Sequence, residues 1–85
     1  MEKAYIVECK HKGQAMLISR IAKTYAKKIV ETMNIPYDKL IKVEKDVVFI
    51  REECISRRNL EDAIERIERT TKGAIRLTQR EHNYN

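Results

Sequence analysis

Apolar residues alternate with polar ones in some stretches of this chain and recur at helical spacing in others. Ala4-Tyr5-Ile6-Val7-Glu8-Cys9 is rich in β-formers and reads as a first strand. Tyr5, Val7 and Cys9 share one face of it, and Ile6, Glu8 and Lys10 the other. Lys10-His11-Lys12-Gly13 turns the chain, with Gly13 supplying conformational freedom. From about Gln14 to Met33 the spacing becomes helical: Ile18, Ile21, Ala22, Tyr25, Ile29 and Met33 gather into one stripe of roughly 120°. That helix ends near Asn34, because Pro36 cannot continue it and disfavours helical geometry at Ile35.

Leu40-Ile41-Lys42-Val43-Glu44 is the second strand, Lys45-Asp46 a two-residue hairpin connection, and Val47-Val48-Phe49-Ile50-Arg51 the third strand. The third is apolar on both faces, so it is either central or covered on its outer side. A second helix starts near Ser56 or Asn59, with Asn59 as the expected cap and Asp62 three residues on. Leu60, Ala63, Ile64, Ile67 and Thr71 form its buried stripe, and Asp62/Arg66 and Glu65/Arg69 stand at pairing distance in sequence on its exposed side. Gly73 is placed to end the helix, and Ala74 to Thr78 makes a fourth strand. The order β-α-β-β-α-β is that of a ferredoxin-like α+β fold, two helices packed on one face of a four-stranded antiparallel sheet. A winged helix-turn-helix competes, but it needs a third helix that the pattern does not supply. Residues 1–79 make a single domain, and residues 80–85 read as a polar C-terminal tail.

Charge changes this picture more than composition does. Apolar content of 42% is enough for a folded domain, and the formal charge is +5. Residues 1–40 carry eight Lys/Arg against four Asp/Glu, whereas residues 41–85 carry ten against nine, so the excess belongs to the first half. No acid interrupts the chain between Glu8 and Glu31, while Lys10, Lys12, Arg20, Lys23, Lys27 and Lys28 all fall there. Arg20, Lys23 and Lys27 lie opposite the apolar stripe, within about 60° of one another. Cations so arranged can neutralise successive phosphates. The second helix carries comparable cations but interleaves them with Glu61, Asp62, Glu65 and Glu68.

Other chemistries find little support. Cys9, His11, Cys54 and His82 have no familiar metal-ligand spacing, so no metal and no cofactor are expected. The two cysteines read as small buried hydrophobes in a reducing compartment. His11 is the best single acid–base candidate, yet no carboxylate or nucleophile is arranged around it, and the protein is read as not an enzyme. The glycine-and-aromatic signature of the RNA recognition motif is missing around Phe49, leaving Tyr5 and Phe49 as the only aromatics on the first and third strands. The loop at Lys10–Gly13 is a weak anion site. No apolar run approaches the roughly 18 residues of a membrane span, and Met1 to Tyr5 carries no secretory core, so a cytoplasmic location without membrane association is expected.

These readings lead to a small non-enzymatic module that binds nucleic acid, DNA or RNA undecided, through Lys10, Lys12, Arg20, Lys23, Lys27 and Lys28. The alternative is a homo-oligomeric interaction or regulatory subunit, a homodimer pairing through the uncovered sheet face at Ile6 and Phe49.

Overall fold

The computed structural model describes residues 2–82 and the side chains of residues 3–81. The chain runs β1 (Glu2–Glu8), α1 (Lys12–Met33), β2 (Ile41–Glu44), β3 (Val47–Arg51), α2 (Arg57–Thr70) and β4 (Arg76–His82), with single 3-10 turns at Tyr37–Lys39 and Glu52–Cys54. The sheet order is β2-β3-β1-β4, with every neighbouring pair antiparallel. This is the ferredoxin-like arrangement, and β3 is an interior strand, between β2 and β1, the first of the two alternatives its apolar faces left open.

Strand registers decide which side chains meet. Tyr5 pairs with Ile50, Val7 with Val48, and Ile41 and Val43 continue the same rows, so these residues build the face under the helices. Ile6 pairs with Phe49 on the opposite, open face. Tyr5 and Phe49 therefore point to different faces, and the two strand aromatics cannot form one stacking platform. From above, α1 contributes Ala15, Ile18, Ala22 and Ala26, and α2 contributes Leu60, Ile64 and Ile67. A fully buried Ile such as Ile18 contributes about 1.5–3 kcal/mol by leaving water. Three alanines in that row let the backbone of α1 lie close to the sheet.

β1 (Glu2–Glu8), the start of β2 (Ile41) and the start of β4 (Arg76) each shift by one or two residues from the sequence reading, and four further differences matter for the site. First, α1 begins at Lys12, so Gly13 lies in its first turn, and His11 is the cap, its Nδ1 accepting from the Gln14 N–H at 3.3 Å. That bond needs a lone pair on Nδ1 and puts the ring proton on Nε2. Second, Ser56 and not Asn59 caps α2: its Oγ accepts from the Asn59 N–H at 3.1 Å. A serine just before Arg57 meets the orphan N–H groups one turn earlier than an asparagine could. Third, α2 stops at Thr70, whose follower Thr71 returns its N–H to the Ile67 carbonyl at 2.8 Å. Gly73 sits beyond, at φ 136, where the chain turns toward β4. Fourth, β4 extends to His82 because it pairs along the whole of β1, from Glu8↔Arg76 to Glu2↔His82. Arg80 to His82 are thus strand and not tail, and residues 83–85 of the proposed tail lie outside the described residues. At the other end of α1, Asn34 takes the left-handed conformation (φ 55) that ends a helix before Pro36.

Candidate functional site

The outer surface of α1 is set by the alanines on its inner one. With Ala15, Ala22 and Ala26 facing the sheet, Lys12, Arg20, Lys23 and Lys27 fall within about 80° of each other on the far side. Over that strip the helix rises about 22 Å from Lys12 to Lys27. All four are exposed. Lys28 lines a cavity with Tyr25, Ile29 and Met33 of α1 and with Glu53 and Cys54 of the second 3-10 turn. Lys10 stands apart at the end of β1, where its stem crosses Gly73 so closely that a Cβ there would meet the Lys10 Cγ at 2.7 Å.

Among the described residues, none of these six cations makes an ion pair. On α2, by contrast, Arg57 pairs with Glu61 at 3.2 Å and Arg69 with Glu65 at 2.8 Å. The expected Asp62–Arg66 pair is not made. Glu31, one turn beyond Lys27, is the acid on the outer side of α1, and it lies toward the helix C-terminus.

The loop before α1 is tied down from inside. Gln14 is fully buried and uses its whole amide: Oε1 accepts from the Lys10 N–H at 2.8 Å, and Nε2 donates to the Thr71 hydroxyl at 3.1 Å and the Gly73 carbonyl at 3.0 Å. One side chain thereby joins the β1–α1 and α2–β4 connections. With His11 taking the Gln14 N–H, the start of α1 has fewer open N–H groups for an anion than an uncapped helix would.

Four large apolar residues are exposed among those described, and all lie on α1: Met16, Leu17, Tyr25 and Met33. Tyr25 and Met33 were expected in the core. Tyr25 sits at the margin of the apolar stripe, whose centre is the alanine row, whereas Met33 lies in line with that row but is the last residue of the helix. The open sheet face is the reverse case. Ile6 is only 3% exposed and Ala4 is fully covered, which leaves Val47 and Phe49, both half-buried, among Lys42, Arg76, Arg80, Glu8 and Glu44. Unlike the strip on α1, that face mixes both signs of charge.

Both thiols are buried and reduced. Burial pushes Cys9 up to about 11, with Asp46 adding to it, and burial likewise raises Cys54 to about 11, with Glu53 adding and Arg51 opposing. At pH 8 only about one thiol in a thousand is then thiolate, so alkylation of the native protein should run at least about a hundredfold slower than after unfolding. A mass-resolved labelling time course checks this. The sign of the shift has a second consequence. An unfolded chain loses these protons near pH 9, before the folded one, so stability is full below that pH and falls as pH rises toward 11. Tyr5, raised first by burial and then by Glu52, acts in the same sense.

Among the described residues no cluster of three or more His, Cys, Asp or Glu is placed to hold a metal ion, and no helix is long and apolar enough to cross a membrane. No protein-family model, curated protein or solved structure matches the chain.

Proposed function

We propose that this protein is a small non-enzymatic nucleic-acid-binding module that contacts phosphates through the outer face of α1. The observation that carries the reading is the strip of Lys12, Arg20, Lys23 and Lys27, exposed and without ion pairs, beside a second helix that pairs two of its arginines internally. A cation with no internal partner gives up little when it binds a phosphate, and a row of them releases condensed counterions from the polyanion. Lys28 flanks the strip, and Lys10 lies at its far end, held by the Gln14 tie.

The test is binding of fluorescent DNA and RNA at two salt concentrations, for the wild type and for Arg20→Glu, Lys23→Glu, Lys27→Glu combined. Affinity is expected to fall steeply with salt and to collapse in the triple variant. Binding indifferent to salt, or untouched by the triple change, would overturn the reading. The homodimer alternative needs apolar surface on the open sheet face, and the burial of Ile6 leaves it little. Light scattering at micromolar concentration, with Phe49→Lys as the variant, separates it: a dimer lost in that variant would favour the sheet face.

A further inference from the structure

Tyr25 stands half out of a groove between the two helices. The residue is 47% exposed, and it borders a cavity of about 320 Å³ lined also by Ile21 and Ala63 and by the polar residues Thr24, Asn59, Asp62 and Arg66. Asn59, Asp62 and Arg66 make no side-chain hydrogen bond or ion pair among the described residues. Asp62 and Arg66 are four apart on α2, the spacing at which Arg57–Glu61 and Glu65–Arg69 do pair. The cavity thus combines an aromatic ring and an aliphatic lining with an amide, a carboxylate and a guanidinium whose hydrogen-bonding capacity is unspent. It also opens beside the cationic strip. Arg20, Lys27 and Lys28 stand three or four residues from Thr24 and so neighbour it on the helix surface.

We infer that this cavity is a nucleobase pocket, and that the ligand of α1 is single-stranded nucleic acid. The inference rests on the nucleic-acid reading above and specifies it. Phosphates follow the strip, while one unpaired base turns into the groove, stacks on Tyr25 and presents its edge to Asn59, Asp62 and Arg66. A base inside a duplex is stacked and paired, so a cleft between helices admits it only once it has left the stack. The three polar groups match the hydrogen-bonding edges of bases: an amide for adenine, a guanidinium for guanine, a carboxylate for the amino group of cytosine. The volume lies at the small end of ligand pockets, about right for one base. A second copy of the chain fits this surface poorly, because it would bring two cationic strips together.

The experiment is anisotropy with labelled homopolymers of each base, as DNA and as RNA, and a duplex of equal length, all with the full chain. Single strands are expected to bind more tightly than the duplex. Tyr25→Ala should weaken single-strand binding roughly 5- to 150-fold, the range for losing one stacked base. Duplex binding and the salt dependence should not change with it, and Tyr25→Phe should retain full affinity. Asn59→Ala, which removes a side chain with no hydrogen bond to lose, should reorder the homopolymers. Circular-dichroism melts confirm that the variants fold. Wild-type affinity in Tyr25→Ala, or a preference for duplex, overturns the pocket while leaving the strip intact. Failure of the wild type to bind any probe overturns both.

Discussion

Reversing Arg20, Lys23 and Lys27 to glutamate should flatten the salt dependence of binding and not merely lower the affinity. Each phosphate neutralised on a single strand adds roughly 0.7 to the slope of log affinity against log salt. If Lys10, Lys12, Arg20, Lys23, Lys27 and Lys28 each meet one phosphate, a fourfold rise in salt weakens the wild type roughly 300-fold. With three of those contacts gone the same rise costs only roughly 20-fold. The introduced acids lower affinity further by repulsion at every salt concentration. Folding should be nearly untouched, because all three side chains are exposed and have no ion pairs to lose. A variant that melts like the wild type but binds with the wild-type slope would show that the strip touches no phosphate.

Replacing Gln14 by leucine should be the most damaging single change to stability at a polar position. Leucine fills a similar volume but strands the Lys10 N–H and the Gly73 carbonyl, which now meet the amide at 2.8 and 3.0 Å, while the Thr71 hydroxyl loses the amide at 3.1 Å and keeps its bond to the Ile67 carbonyl. An unsatisfied buried group costs about 1–3 kcal/mol, and part of that is recovered where loops admit water, so a loss of about 2–4 kcal/mol is expected. For a domain of this size that lowers the melting temperature by roughly 10–25 °C. Gln14→Glu should do no better. It keeps an acceptor for Lys10 but sets a negative oxygen against the Gly73 carbonyl. Thermal melts of the two variants, with hydrogen exchange at the Lys10 amide, test the assignment. A loss under about 1 kcal/mol in both would mean that the two loops are held by something else.

The backbone architecture was legible from the hydrophobic pattern, because β-strand alternation and helical periodicity are strong in β1, β3, α1 and α2. Strand faces also followed: the alternation of Tyr5, Val7 and Cys9 against Ile6 and Glu8 is the one observed. What was not legible came from contacts distant in sequence. Nothing local marks Gln14 as buried, since its partners Thr71 and Gly73 lie across the fold. The full length of β4 depends on pairing with β1 and not on its own polar sequence, Thr-Gln-Arg-Glu-His. Tyr25 and Met33 were assigned to the core because large apolar residues dominate a periodicity count. The alanines at 15, 22 and 26 mark the buried line better and leave Tyr25 off it, while Met33 falls in line with them but at the last residue of α1, beyond the buried stretch. The cationic strip could be read directly from spacing, whereas the cavity beside it needed the position of α2.

The alanine row also bears on how copies of this protein behave toward each other. Met16, Leu17 and Tyr25 lie off that buried row and Met33 lies at its end, so all four reach the surface, where sticky patches normally drive clumping. The surrounding cations act as bumpers that hold those patches apart in solution. A polyanion bound along α1 as proposed would cancel the bumpers at the moment it brought several copies onto one strand. On the proposed function, crowding of neighbours along a bound strand would follow from the same helix that carries the cationic strip.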